Sequence, residues 1–204
     1  NVPGFSVYEV VEGYVAPPPP PPPGGSCFPA GTKILMASGE KKNIEDVNLG
    51  DAVLSYDEIS KEIVQGIVLE LESPVREHMC EIIFEDGSSL KLKNEHPVYT
   101  SEGWKAIATE ETKKENPSLI VEKINLKDKV LFADGEYREL ESINCWKETV
   151  KTYNLKTIAP QNNYFADNIL VHNKGGPIIP SVVRLNASCV ESWVCNGWDT
   201  CLDG

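Results

Sequence analysis

Two short stretches of the chain carry residues that could break the peptide bonds beside them. Cys27 follows Ser26, and its thiol can attack the Ser26 carbonyl, so that the peptide bond becomes a thioester. A cysteine thiol has a pKa of about 8.5, which leaves some of the nucleophilic thiolate near neutral pH. Asn173 precedes Lys174, and its side-chain amide can attack its own carbonyl carbon, which gives a succinimide and releases Lys174. These residues predict cleavage at Ser26–Cys27 and at Asn173–Lys174.

Both reactions need a proton for the departing nitrogen and a hydrogen-bond donor for the carbonyl oxygen. Of the three histidines in the chain, His96 lies in an Asn-Glu-His-Pro sequence after a predicted strand, and we assign it to the first reaction. His172 adjoins Asn173 and can polarise the carbonyl or protonate the nitrogen in the second. Taken singly, Cys27 would be interpreted as a small buried thiol and His96 as a turn residue. The presence of both residues, together with His172 and Asn173, favours a catalytic role for them.

The elements that must position these residues are predicted to be short β-strands. Alternating apolar and polar residues, and turn pairs such as Asp86-Gly87 and Asp167-Asn168, predict the strands 33–37, 52–56, 62–71, 79–84, 89–92, 97–100, 129–133, 137–146, 149–155, 164–166 and 169–171. We predict one helical turn at residues 44–47 and a surface loop at residues 108–118. Many short strands with little helix indicate an all-β domain. Its last strand leads directly into His172 and Asn173.

The composition indicates one domain with flanking segments and excludes several partners. The chain has 204 residues, a formal net charge of −12 and no evident basic face, so we expect no nucleic-acid partner. It has no apolar stretch of about 18 residues and no signal peptide, so we expect no membrane association. We also expect no metal, no cofactor and a monomeric domain. Its substrates would be its own flanking segments, with water or small thiols as acyl acceptors.

The flanks lie on either side of a predicted domain at residues 27–173. Because the first residue is Asn1, we expect a longer protein, of which residues 1–16 form the end of an upstream region. Residues 17–26 hold seven consecutive prolines and two glycines, which indicate a stiff polyproline II spacer or, alternatively, a ligand for a proline-binding module. Residues 174–204 form a downstream flank. By analogy we expect a bacterial or phage host protein that is surface-exposed, secreted or virion-associated.

The chain has six cysteines, an even number that raises the question of disulfides. Cys27, Cys80 and Cys145 are far apart in a domain large enough to fold without cross-links, so we expect no disulfide among them. The downstream flank adds a group that recurs every six residues: Cys189, Cys195 and Cys201. A disulfide with one remaining thiol, and a metal site completed by another chain, are both open for that group.

Three blocks of the sequence resemble the Hint superfamily, which contains inteins, bacterial intein-like domains and hedgehog autoprocessing domains. The blocks are residues 27–56, beginning CFPAGTKIL, residues 90–100, LKLKNEHPVYT, and residues 163–173, NYFADNILVHN. The resemblance implies a flat, horseshoe-like β fold in which the two ends of the domain are adjacent. It also implies four roles. Cys27 is the nucleophile, and His96 assists its step. Asn173 is the residue that cyclises, and His172 assists the cyclisation.

Several positions depart from the pattern of that family. Lys93 stands where the family often has a Thr, three residues before the central His, so the hydroxyl expected at the first scissile bond is missing. Asn154 and Asn162 stand where an acid and a further His are common, which implies weaker proton transfer or transfer through water. Lys174 replaces the Cys, Ser or Thr that follows the final Asn of full inteins, as in bacterial intein-like domains. The stretch 108–118 is too short for a homing endonuclease.

Three functions are compatible with these features. The first is autocatalytic cleavage at both ends of the domain, with some ligation of the flanks. The second is an inactive β module that serves as a spacer or interaction surface. The third is hedgehog-like transfer of the upstream segment to a small nucleophile, which expects extra downstream sequence for the acceptor and needs no closing Asn. The joint presence of Cys27, His96, His172 and Asn173 favours the first.

Overall fold

The computed structural model describes Gly25 and residues 27–173, which form two curled β-sheets and little helix. The strands, β1 to β16 in chain order, are Phe28–Pro29, Lys33–Leu35, Lys41–Asn43, Ala52–Asp57, Glu62–Glu72, Val75–Arg76, Met79–Phe84, Ser89–Lys93, Val98–Thr100, Gly103–Ala106, Glu122–Lys123, Lys129–Leu131, Tyr137–Trp146, Val150–Ala159, Asn163–Ala166 and Ile169–His172. A 3-10 turn covers Ile44–Asp46, and the α-helix α1 covers Thr109–Glu115. No helix among these residues is long and apolar enough to cross a membrane.

The order of the strands brings the two ends of the domain close together. The smaller sheet has the order β1-β14-β5-β4, with β6 also paired to β14. The larger sheet has the order β3-β2-β15-β16-β9-β12-β13-β7-β8, with β10 on β9 and β11 on β10. The first strand, β1, therefore pairs with β14. The two strands that follow β14 in the chain, β15 and β16, belong to the larger sheet. The Phe28 and Tyr164 rings, with centroids 6.2 Å apart, connect the two ends.

The closing hairpin is built from apolar residues and a tight turn. All residues of β15 and β16 are buried, as expected for strands with both faces covered. The turn between them places Asp167 at φ 46° and Asn168 at φ 68°. Both values lie in the left-handed region that primed hairpin turns require, and Asp and Asn tolerate it better than most residues. This turn fixes the register that pairs Asn163 with His172.

The predicted all-β fold is confirmed, as are the predicted strands and the helical turn at residues 44–47, with some ends shifted. The predicted loop at residues 108–118 is wrong, because it contains α1. Its first turn carries two acids and its last turn two lysines, which suits the helix dipole. The helix ends at Glu115, and its C-cap, Asn116, is the residue before Pro117. The prediction missed five short strands, which depend on their partners for hydrogen bonds: β1, β3, β6, β10 and β11.

The expectation of no disulfide among the first three cysteines is also wrong. Cys80 on β7 is bonded to Cys145 on β13. The antiparallel register of these strands places the two residues directly opposite each other, with Cα atoms 4.0 Å apart. Sequence separation therefore gave no guide to their distance in space. Cys27 is not part of this disulfide.

Candidate active site

The loop between β8 and β9, residues 94–97, together with Lys93 at the end of β8, contacts both ends of the domain. On one side, the Lys93 backbone N–H donates to the Cys27 carbonyl oxygen at 2.9 Å. On the other side, the His172 backbone N–H donates to the Pro97 carbonyl oxygen at 3.1 Å. This loop also carries His96. The structure thus gathers Cys27, His96 and His172 around one short segment, with Asn173 next in the chain.

Cys27 has a fully buried side chain, and it interacts electrostatically with Tyr164, the first of a series of hydrogen-bonded polar groups. The Tyr164 hydroxyl, itself fully buried, donates to Asn154 Oδ1 at 3.1 Å, and Asn154 Nδ2 donates to Glu72 Oε1 at 3.1 Å. Burial raises the pKa of Tyr164 well above its usual value, and the charge of a neighbouring Cys27 thiolate raises it further. Tyr164 therefore stays protonated. Asn154, which stands where the family often has an acid, is linked to a carboxylate through its own amide.

His96 is buried, and the position of its loop depends on the helix that the sequence did not predict. Its ring lies 4.2 Å, centroid to centroid, from the ring of Phe28, the residue after Cys27. Its backbone N–H donates to the Lys93 carbonyl oxygen at 2.9 Å. The Thr112 hydroxyl, on α1, donates to the carbonyl oxygen of Glu95 at 2.7 Å. These bonds attach the loop to β8 and to α1, so that His96 stays beside the start of the domain.

His172 contacts the carbonyl oxygen of the bond that cyclisation would break. Its Nδ1 lies 2.5 Å from the Asn173 carbonyl oxygen. A carbonyl oxygen only accepts hydrogen bonds, so Nδ1 carries the proton. Burial lowers the pKa of His172 from 6.5 to about 4, opposed by the bond to Asn173, so the ring is neutral at pH 7. Trp104 holds the ring edge-to-face, with centroids 4.8 Å apart, and Trp104 Nε1 donates to Glu58 Oε1 at 3.1 Å.

Asn173 is buried, and hydrogen bonds fix both its backbone and its side chain. Its backbone N–H donates to the Asn162 carbonyl oxygen at 2.9 Å. With the amide oriented to satisfy both of its atoms, Nδ2 donates to the same oxygen at 3.0 Å, and Oδ1 accepts from the Ile158 N–H at 2.9 Å. Asn162 thus contacts Asn173 through its backbone. Its side-chain Oδ1 is buried and has no hydrogen-bond partner among the described residues.

Asn163, the next residue, fixes the backbone that carries the Asn162 carbonyl group. Asn163 Oδ1 accepts from the Tyr56 N–H at 2.7 Å and from the Ser55 hydroxyl at 2.8 Å, and Asn163 Nδ2 donates to the Tyr56 carbonyl oxygen at 2.9 Å. These buried bonds attach the start of β15 to β4. An unsatisfied buried partner would cost about 1–3 kcal/mol, so the attachment is firm.

Lys93, which replaces the expected Thr, binds the residue before His96. Its Nζ lies 2.7 Å from Glu95 Oε2 and donates to Asn94 Oδ1 at 3.1 Å. The other oxygen of the carboxylate, Glu95 Oε1, accepts from the Gly25 N–H at 3.1 Å. The sequence did not single out Glu95, Trp104 or Tyr164. Only Glu95 carried a signal, as an acid placed between a lysine and the candidate histidine.

Some of the predicted positions lie outside the described residues. These are the junction residues Ser26 and Lys174, the three downstream cysteines and the segments 1–16, 17–24 and 174–204. Within the described range, no three His, Cys, Asp or Glu side chains are grouped so that they could hold a metal ion.

Comparison with known proteins gives a consistent family and fold. The family model of the Hint module matches residues 21–152. None of the curated proteins matches the chain. Among solved structures, a bacterial intein-like domain from Clostridium thermocellum is 29% identical, with a TM-score of 0.58, and the match covers 72% of this chain and 98% of that domain.

Two further structures are similar in fold. A DnaB intein from Synechocystis sp. PCC 6803 is 18% identical, with a TM-score of 0.61, over 72% of this chain and 98% of the intein. A DnaX mini intein from Spirulina platensis is 23% identical, with a TM-score of 0.57, over 72% of this chain and 99% of the intein. Residues 153–173, which include the candidate cyclising residue, lie beyond the family match but within the fold.

Proposed function

Since the chain belongs to the Hint family of self-processing domains, we propose that it cuts its own backbone at Ser26–Cys27 and at Asn173–Lys174. The substrates are then its own flanking segments, residues 1–26 and 174–204. The observation that carries the proposal is the 2.5 Å contact of His172 Nδ1 with the Asn173 carbonyl oxygen. That oxygen belongs to the bond to be cut, and it must gain negative charge as the bond is attacked.

At the downstream junction, Asn173 Nδ2 attacks the Asn173 carbonyl carbon. A C–N bond closes the succinimide ring, the bond to the Lys174 nitrogen breaks, and one proton passes from Nδ2 to that nitrogen. His172, neutral with its proton on Nδ1, stabilises the developing oxyanion as a fixed hydrogen-bond donor. The Asn162 carbonyl oxygen holds Nδ2 and the backbone N–H together. Of the two roles available to His172, the geometry supports polarisation of the carbonyl.

At the upstream junction, the Cys27 thiolate attacks the Ser26 carbonyl carbon. A C–S bond forms, the C–N bond breaks, and the proton of the thiol ends on the Cys27 nitrogen. We assign the delivery of this proton to His96, which lies on the loop after Lys93, and the Lys93 N–H holds the Cys27 carbonyl oxygen. Asn154 acts indirectly, by fixing the Tyr164 hydroxyl near the thiol. Water or a small thiol then releases the upstream segment from the thioester.

The test is the intact mass of the full chain after expression and incubation. We expect pieces cut after Ser26 and after Asn173 from the parent, and neither cut from Cys27→Ala/Asn173→Ala. Cys27→Ala alone should keep only the downstream cut, and Asn173→Ala only the upstream one. Hydroxylamine is the better probe of the thioester, because added thiols would also reduce the Cys80–Cys145 disulfide.

Each alternative function predicts a different result. A parent chain that stays whole would support an inactive module. Upstream release that depends on Cys27, with no cut after Asn173 in any chain, would support transfer to a small nucleophile. Release of the upstream flank from Cys27→Ala at the parent rate would show that Cys27 is not the nucleophile.

A further inference from the structure

Gly25, two residues before Cys27, is enclosed by buried charged side chains. Its backbone N–H donates to Glu95 Oε1 at 3.1 Å. The guanidinium of Arg76, on β6, lies against its α-carbon. Gly25 and Arg76 are both buried, and Glu95 is 1% exposed. A backbone N–H held by a buried carboxylate is a charge-assisted hydrogen bond, which is among the stronger kinds in proteins.

Two features of this site admit glycine and oppose every other residue. The φ of Gly25 is +146°, in the region that L side chains rarely adopt. A Cβ at this position would lie 2.2 Å from Arg76 Nη2, 2.7 Å from Nε and 2.8 Å from Cζ. Arg76 is only 5% exposed and its strand is paired with β14, so the guanidinium cannot simply turn into solvent. The space beside the α-carbon is therefore occupied.

The carboxylate that binds Gly25 is itself held in position. Glu95 Oε2 lies 2.7 Å from Lys93 Nζ, and the Lys93 side chain is 12% exposed. The Thr112 hydroxyl donates to the Glu95 backbone carbonyl oxygen. Burying charged groups is costly unless they are paired and hydrogen-bonded, and the bond to Gly25 is one of those that compensate. Lys93, the residue that departs from the family pattern, thus orients the carboxylate.

We propose that Glu95, Lys93 and Arg76 form a glycine cradle, a recognition site that accepts only glycine at position 25 and holds the Ser26–Cys27 bond for attack. This inference rests on the proposed self-cleavage and names the upstream segment that the site takes: a chain ending Gly-Xaa before the cysteine. The three side chains are positioning residues, because Glu95 and Arg76 contact the substrate segment at Gly25 and Lys93 holds Glu95, whereas none is assigned to the reacting atoms. Gly25 therefore does more than help to end the polyproline stretch.

The first test compares two glycine substitutions in the full chain. Gly25→Ala should slow hydroxylamine-induced release of residues 1–26 by about 10²-fold, the cost typical of misplacing a reacting bond by about 1 Å. Cleavage after Asn173 in the same molecules should keep the parent rate. Gly135→Ala is the matched control, because Gly135 also has a positive φ, +84°, but open space around its Cβ direction. It should leave both rates unchanged.

The second test separates recognition from simple support of the fold. Arg76→Ala added to Gly25→Ala should restore about tenfold of the lost rate, since it removes the clash while the unfavourable φ remains. Glu95→Gln keeps an oxygen acceptor for the Gly25 N–H, so it should release the upstream segment faster than Glu95→Ala. A role confined to the fold would slow both cleavages alike and would give no rescue.

The outcomes distinguish this inference from the function on which it rests. If the parent cleaves upstream and Gly25→Ala cleaves at the same rate, the cradle is overturned while the proposed function stands. A parent with no upstream cleavage overturns both. If Glu95→Gln and Glu95→Ala lose both cleavages equally, the residues maintain the fold, and the cradle is again overturned.

Discussion

At the scale of single residues, the candidate site contains a histidine that burial keeps neutral. His172 donates from Nδ1 to the Asn173 carbonyl oxygen without carrying a charge. A charged imidazolium would be a stronger donor, but burying it among Trp104 and the strands would cost solvation energy. The arrangement therefore gives a preorganised donor at neutral pH, and the protein loses stability when the pH falls.

We predict that His172 makes the fold sensitive to acid below pH 6.5. Its pKa is 6.5 in the unfolded reference and about 4 in the folded chain. Between these values the unfolded chain binds a proton that the folded chain does not. The contribution of neutral His172 is thus fully present above pH 6.5 and is lost as the pH falls towards 4, by about 3 kcal/mol in total.

The measurement is urea unfolding of an uncleavable chain, Cys27→Ala/Asn173→Ala, with and without His172→Gln. Glutamine does not titrate, so it is the reference for all other acid-sensitive groups. The free-energy difference between the two chains should shift by about 3 kcal/mol between pH 6.5 and pH 4, with the histidine chain losing more. A constant difference across this range would contradict the buried neutral state.

At the scale of secondary-structure elements, the disulfide between β7 and β13 connects two long strands of the larger sheet. We predict that Cys80→Ala/Cys145→Ala lowers the free energy of unfolding by about 2–4 kcal/mol, because the unfolded chain regains the freedom of a long loop. Urea unfolding of the uncleavable chain with and without reductant measures this. Reductant should destabilise the chain that keeps both cysteines and leave the double variant unchanged. Equal responses would contradict the prediction.

The elements also show what the sequence could and could not reveal. Cys27, His172 and Asn173 could be proposed as site residues from the sequence, because each lies in or beside the bond it would act on. The strand 79–84 was predictable because its own residues alternate, whereas β1 is two residues long and exists through its pairing with β14. The contact of Gly25 with Glu95 spans 70 residues, and no local pattern reports it.

At the scale of the whole molecule, the two proposed cleavages would also allow the flanks to be joined. Cyclisation of Asn173 turns Lys174 into a chain end, whose α-amine has a pKa of about 7.7–8.0. An amine kept near the thioester competes with water at high effective concentration. We predict mostly cleavage and a minor Ser26–Lys174 peptide product, which grows between pH 7 and pH 8.5 as the amine loses its proton.

Peptide sequencing by mass spectrometry across the new joint measures this product. Asn173→Ala should eliminate it, because the amine then stays in a peptide bond. A joint to the Lys174 ε-amine, whose reference pKa is near 10.4, would contradict the route. So would a ligated product from the Asn173→Ala chain.

The segment of residues 93–97 has a consequence for the equilibria of the two proposed reactions rather than for their rates. Through Lys93 it holds the Cys27 carbonyl, and through Pro97 it holds the backbone of His172. A thioester at one end that displaces this segment must alter the free energy of cyclisation at the other. Thermodynamic linkage makes such an effect reciprocal, so the succinimide changes the thioester equilibrium by the same factor. The equilibria of the two reactions are then coupled through this one segment of the backbone.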